Sequence, residues 1–141
     1  MAEWIETYRG AVYAWQEDHN GHMNVTHYVA KFDEGTWQFL AMLGLTRGYM
    51  DRENRGMAAV QQNVTYKREL VAGNVVYVET SLREISARKL RYVHRMINAE
   101  TGEEVAEMEL IGVHIDRETR RACPFPDEIR ANGARLLGEA A

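Results

Sequence analysis

The chain has a single cysteine, Cys123, among 141 residues. An intramolecular disulfide is therefore excluded, and a reducing, cytoplasmic setting is expected. Long apolar runs are missing, so no membrane span and no membrane partner are expected. The first ten residues carry charges and two aromatics but no apolar h-region, and no signal peptide is read there. A basic surplus is missing too. Lys and Arg number 17 against 21 Asp and Glu, a formal charge of −4. That argues against general nucleic-acid binding and leaves room for a local basic patch that holds one phosphorylated ligand. There is no internal repeat, no linker and no low-complexity stretch. A chain of this length that is 45% hydrophobic reads as one domain, residues 1–141, with a core of its own.

The elements follow from periodicity. Thr7 to Trp15, with its tyrosines, valine and tryptophan, suits a half-buried strand. A polar turn from Glu17 to Asn24 ends it. From about His27 to Leu43 the apolar residues Tyr28, Phe32, Phe39 and Leu43 recur at helical spacing, with Val29 and Leu40 beside them. Thr26 is the expected N-cap and Gly44 the expected residue past the C-terminus. Residues 47–56 are charged and contain glycine, so a loop is expected. Strands follow at 58–67, 75–84, 89–98 and 103–116, separated by the Gly73-Asn74 and Thr101-Gly102 turns. In the third of these, Leu90, Tyr92, His94 and Met96 share one face, and Arg91, Val93, Arg95 and Ile97 the other. Bulky groups on both faces suggest a sheet covered on one side and packed on a partner on the other. Pro126 opens a short terminal helix that runs through Leu137. One strand, one long helix and four consecutive strands predict an α+β layout, an antiparallel sheet wrapped on the helix.

The chemistry concentrates between Trp15 and Phe39. Asp18 lies three positions before Gly21, and the polar turn runs directly into the helix. A carboxylate therefore sits beside a helix N-terminus, where backbone N–H groups lack partners. Such groups cradle a developing oxyanion, and the carboxylate beside them is a base or nucleophile.

Asp18, Gly21, His22, Asn24 and Tyr28 form the pattern D-x-x-G-H-x-N-x-x-x-Y. It resembles the hotdog-fold acyl-CoA thioesterases of the 4-hydroxybenzoyl-CoA thioesterase-like group. Phe32-Asp33-Glu34 continues the likeness, as do Tyr66-Lys67-Arg68-Glu69-Leu70 with Gly73, and Asp116 with Cys123-Pro124-Phe125-Pro126. The run Asn20-Gly21-His22-Met23-Asn24 is also similar to a branch that includes betainyl-CoA thioesterases. Two positions depart from the pattern. Gln16 stands where many members have a second acid, and Val25 where many have a second Asn.

The resemblance implies a hotdog fold around the central helix, assembled as a homodimer or homotetramer with active sites between subunits. It implies hydrolysis of an acyl-CoA thioester with no separate cofactor, coenzyme A being part of the substrate. Asp18 would attack the carbonyl or activate a water. The backbone N–H of Val25 would bind the oxyanion, which makes its side-chain identity free to vary. Asn20, His22, Asn24 and Tyr28 would shape the acyl site. Lys67, Arg68, Arg88 and Lys89 would meet the phosphates of coenzyme A. Trp15, Trp37 and Tyr28 would offer aromatic faces to a cationic acyl group such as betainyl.

Other readings stand beside these. His19, His22 and His27 lie close together, but no nearby cysteine or H-E-x-x-H spacing supports a metal site, and none is expected. Cys123 precedes a proline in a tail-like segment and reads as a structural thiol. A hotdog dehydratase acting on 3-hydroxyacyl thioesters and a non-catalytic acyl-CoA-binding module are the alternative functions.

Overall fold

The computed structural model describes residues 3–138, so the two ends of the expected 1–141 span lie outside the described residues. Five strands form one antiparallel sheet: β1 (Ile5–Ala11), β2 (Arg55–Tyr66), β3 (Val75–Ile85), β4 (Lys89–Asn98) and β5 (Glu104–Asp116). Their spatial order is β1-β3-β4-β5-β2, which leaves β1 and β2 as the two edges. The long helix α1 (Val25–Leu43) lies on one face, with α2 (Arg47–Glu53) and α3 (Asp127–Leu136) at its C-terminal end. This is the expected hotdog arrangement, α+β in class.

The helix turns the predicted stripe toward the sheet. Tyr28, Phe32, Phe39, Leu40 and Leu43 are all buried, and Val29 packs at the margin. On β4 the alternation holds: Leu90, Tyr92, His94 and Met96 point into the core. Gly35 lets the helix approach closely, because a Cβ there would lie 2.8 Å from the Thr7 hydroxyl. That hydroxyl belongs to a buried polar chain. Thr7 and Thr80 share a hydrogen bond of 2.8 Å, Thr80 meets His94 Nδ1 at 2.6 Å, and Thr36 on α1 meets His94 Nε2 at 2.8 Å. Burial holds the His94 imidazole neutral, with its pKa lowered to about 3.

Several boundaries differ from expectation. The first strand ends at Ala11, and the chain then turns through a single 3-10 turn at Ala14–Gln16. The Gln16 side chain accepts from Tyr13 N–H at 2.9 Å and holds that turn, which leaves Trp15 72% exposed. The N-cap of α1 is Asn24, not Thr26, whose own N–H donates to the Asn24 side chain. Asn outranks Thr at this position. The expected loop at 47–56 contains α2, capped by Thr46 and closed by Asn54 at φ 54°. Its charges and Gly48 obscured a short amphipathic turn that buries Tyr49 and Met50. Strand β2 therefore begins at Arg55. Pro126 is the N-cap of α3 and not its first residue.

The outer sheet face carries the other residues of β4. Val93 and Ile97 on this face are buried within the single chain. Arg95 stacks on the Trp4 ring at 3.9 Å and pairs with Glu79 at 2.8 Å.

Candidate active site

The turn before α1 is built around Asp18. Its backbone N–H donates to His22 O at 3.1 Å, and Gly21 N–H returns to Asp18 O at 2.9 Å. Gly21 sits at φ 86°, a conformation that glycine adopts without strain. The Asp18 carboxylate takes a donor on each oxygen. Asn20 N–H reaches Oδ1 at 2.8 Å, and the Asn24 side-chain amide reaches Oδ2 at 2.9 Å. These bonds, Asn24 first, hold the Asp18 carboxyl below its ordinary pKa, so it is an anion at neutral pH.

Asn24 works in two directions. Its amide N–H donates to Asp18, while its carbonyl oxygen caps α1 by accepting from Thr26 N–H at 2.9 Å and Thr26 Oγ at 2.7 Å. Among the described residues the next N–H, that of Val25, finds no acceptor. A free backbone donor at the positive end of a helix thus follows directly on the residue that holds the carboxylate.

A cavity of about 450 Å³ opens at this helix end. His22, Met23, Val25 and Tyr28 form one wall, and Tyr66, Lys67, Arg68 and Glu69 from the exit of β2 form the other. The two walls are joined. Met23 N–H donates to Leu70 O at 2.7 Å, Tyr28 hydroxyl to Arg68 O at 2.8 Å, and Ala72 N–H to the Glu17 carboxylate at 2.8 Å. The Tyr28 and Tyr66 rings meet edge to face at 5.2 Å. Asp18 itself is not part of the lining; Asn24, which bonds its carboxylate, stands in sequence between the lining residues Met23 and Val25.

The predicted residues divide accordingly. Val25, His22 and Tyr28 line the cavity, and Asn24 ties the acid to the helix. Asn20 is exposed at the turn tip and supplies a backbone donor to Asp18. Lys67 and Arg68 line the cavity but already have partners: Lys67 pairs with Glu104 and Glu107, and Arg68 with Glu103 at 3.2 Å. Arg88 and Lys89 lie elsewhere. Lys89 pairs with Val113 of β5, whereas Lys67 N–H bonds Val105 O at the other end of that strand. The separation is roughly 27 Å at about 3.4 Å per residue. Among the described residues neither Arg88 nor Lys89 forms an ion pair.

The three aromatics do not gather in one chain. Trp15 packs its ring edge on His27 at 5.3 Å. Trp37 lines a second cavity, of about 640 Å³, with Arg47, Met50, Asp51 and Arg117. The histidines disperse as well: His22 Nε2 is 3.5 Å from Glu69, while His27 meets Trp15. Cys123 lies 3.4 Å from His114 Nδ1, away from the cavity, and His114 Nε2 meets the Tyr49 hydroxyl at 2.9 Å. The walls also contain Met23, Tyr66 and Glu69, which sequence reasoning did not assign to the site. Tyr66 and Glu69 stood within the second motif run, where spacing from Asp18 gave no hint of contact.

Known proteins share this sequence pattern and fold. A profile of the thioesterase-like superfamily matches residues 12–133. A betainyl-CoA thioesterase from Pseudomonas aeruginosa is 25% identical over 140 residues, covering 99% of this chain and 87% of that protein. An L-carnitine dehydrogenase/betainyl-CoA thioesterase from Ruegeria pomeroyi is 29% identical over 119 residues, 84% of this chain and 24% of that longer protein. In structure, a Staphylococcus aureus protein solved in complex with CoA superimposes with a TM-score of 0.91 at 20% identity, covering 100% of this chain and 88% of that one. A 1,4-dihydroxy-2-naphthoyl-CoA thioesterase from Synechocystis gives 0.83 at 16% identity, covering 96% and 98%. The chain belongs to the thioesterase-like superfamily and is a thioester hydrolase of the hotdog fold.

Proposed function

We propose that the protein hydrolyses an acyl-CoA thioester to the free acid and coenzyme A, with Asp18 as nucleophile or general base. One observation carries this reading: the ionised Asp18 is held by Asn24, and the unpartnered Val25 N–H follows at the helix N-terminus beside a cavity. The thioester oxygen accepts from Val25 N–H, where the helix end stabilises the charge that develops on it. Asp18 either attacks the carbonyl, forming an anhydride that water then opens, or takes a proton from the attacking water. In both routes the C–S bond breaks and coenzyme A leaves as the thiol. No cofactor enters the scheme, and a reducing cytoplasmic setting suits both the thiol product and Cys123.

The working unit is a dimer paired along β2. From Gly56 to Tyr66 this edge strand has no charged residue and no proline, whereas edge β1 carries Glu6 and Arg9; each edge has one register shift, at Ala59/Gln61 in β2 and Glu6/Tyr8 in β1. Charges guard an edge against pairing, and β2 has none along eleven residues. Two copies joined by a twofold axis pair these strands antiparallel. The Tyr66 end of one copy then lies beside the Arg55 end of the other, and the second copy's Arg88 and Lys89 approach the first copy's cavity. Their free cations suit the phosphates of coenzyme A. Lys67 and Arg68 assist by exchanging their exposed glutamate partners, since solvent-exposed ion pairs hold only weakly.

The acyl group is small, and betainyl is the proposed substrate. The Pseudomonas aeruginosa relative supports it, as do the Tyr28 and Tyr66 rings with the Glu69 carboxylate in one cavity. An acyl-CoA panel tests the activity by following free thiol and enoyl absorbance together. Thiol release is expected. Enoyl formation would mean a dehydratase, and binding with neither signal would mean a binding module. Betainyl-CoA against its neutral isostere 3,3-dimethylbutyryl-CoA tests the substrate: an equal or higher specificity constant for the neutral compound removes betainyl and leaves the thioesterase standing.

A further inference from the structure

We infer that Trp37 is a specificity residue acting in trans: its indole forms the far aromatic wall of the acyl site in the second copy. The inference rests on the proposed hydrolysis and on the β2 pairing, and it adds a role that Trp37 cannot perform within its own chain.

Trp37 is 53% exposed although it is a large aromatic on the central helix. It lies three turns of α1 beyond Val25 and lines the separate cavity with Arg47, Met50 and Asp51 of α2 and with Arg117. Its ring is oriented by a hydrogen bond from the indole N–H to Asp33 at 3.3 Å. The charges around it balance. Asp51 takes Arg47 at 2.8 Å and Arg117 at 2.9 Å, and Asp33 is the second carboxylate. What remains open is the Trp37 indole, with the buried Met50 behind it in the cavity wall and no net charge around it.

The position of this cavity along β2 decides its partner. Helix α2 leads through Asn54 directly into the Arg55 end of β2, and Arg117 N–H donates to Asn54 O at 3.1 Å. The cavity beside Val25 lies at the opposite, Tyr66 end of the same strand. Both cavities are on the helix side of the sheet. Antiparallel pairing of two β2 edges sets one copy's Tyr66 end against the other's Arg55 end. Each Val25 cavity is therefore faced by a Trp37 cavity from the other copy. Tyr28 and Tyr66 of one chain and Trp37 of the other then enclose the acyl group on three sides. Aromatic faces with flanking carboxylates favour a quaternary ammonium over a neutral group of the same shape.

Mixed oligomers test the trans arrangement. D18N and W37A chains are co-expressed with different affinity tags, and the mixed species is isolated. In trans, one of its two sites joins an intact Asp18 to an intact Trp37, so turnover of betainyl-CoA recovers to about half the wild-type value per dimer. In cis, every intact Asp18 lies beside the Ala, and with a loss of about tenfold per aromatic contact the mixed species stays near one-twentieth. That second result overturns the inference. The W37A homo-oligomer should lose about tenfold in kcat/KM for betainyl-CoA and little for 3,3-dimethylbutyryl-CoA, with W37F restoring the preference. Equal loss on both substrates would reduce Trp37 to a packing residue and overturn the inference while hydrolysis stands. A wild-type protein that releases no thiol from any acyl-CoA would take down both readings.

Discussion

The side-chain amide of Asn24 donates to Asp18 at 2.9 Å, and the same side chain caps the helix whose first N–H is free. One residue thus sets the position of the acid and of the helix end together. Replacing Asp18 with Asn keeps the shape of this pair and removes its charge. Turnover should fall by at least ~100-fold, the scale of lost general-base catalysis, with KM little changed. Near-normal turnover in D18N would mean that another group does the chemistry.

Asn24 is the first cause of the lowered Asp18 pKa. A carboxylate with a lowered pKa stays ionised further into acid. The acid limb of kcat/KM should therefore shift to higher pH in N24A, and the helix should lose about 1 kcal/mol with its cap. A pH–rate profile checks the first effect and thermal unfolding the second. An unmoved limb would separate Asn24 from the acid.

His94 gives the fold an acid boundary. Its folded pKa is about 3 against an ordinary value of 6.5. Between these values the unfolded chain binds a proton that the folded chain refuses, so stability falls as pH drops through this window. The full loss is roughly 3–6 kcal/mol, from about 1.4 kcal/mol per pKa unit. Urea unfolding between pH 7 and pH 4 should show it, and H94Q should be less stable at neutral pH but flatter across the range. Equal slopes in both proteins would acquit His94.

Gly35→Ala sets two effects against each other. Ala gains up to about 1 kcal/mol of helix propensity. The new Cβ meets the Thr7 hydroxyl at 2.8 Å, inside the Thr7–Thr80–His94 chain where nothing is free to move. Overpacking typically costs about 1–3 kcal/mol, so a net loss is expected. The T7A/G35A double variant should recover part of it. A stabilised G35A would show that the helix can step back from the sheet.

Phosphate recognition separates from chemistry by truncation. The R88A/K89A double variant should raise KM for an acyl-CoA several-fold and leave kcat nearly unchanged. It should have no effect on the matching N-acetylcysteamine thioester, which carries no phosphate. A rise on both substrates would assign these residues to stability and not to coenzyme A.

Much of this was legible in the chain. The stripe Tyr28, Phe32, Phe39, Leu43 and the alternation Leu90 to Met96 fixed the helix, the central strand and their facing surfaces, because burial repeats at the period of each element. The acid and glycine of the Asp18–Asn24 turn were legible because they lie three residues apart, although the cap was expected at Thr26 and falls at Asn24. The rest depends on distance along the chain. Nothing local tells that Tyr66 will meet Tyr28, or that Glu103 and Glu104 will take the cations of Arg68 and Lys67. Helix α2 was missed because a seven-residue helix has too few turns for a period to emerge over its charges. Trp15 and Trp37 looked equivalent in sequence, yet lie on different surfaces once the turn and the helix are formed.

If the uncharged β2 edges pair as proposed, the protein's concentration becomes a variable of its chemistry. Dilution below the pairing constant would not merely slow the enzyme: it would uncover eleven residues of bare strand that any other extended chain can extend. On that pairing, a newly synthesised copy would pass through the same state before it meets a second one. Activity and resistance to aggregation should therefore rise together with protein concentration over the range where pairs form, the reverse of the usual trend.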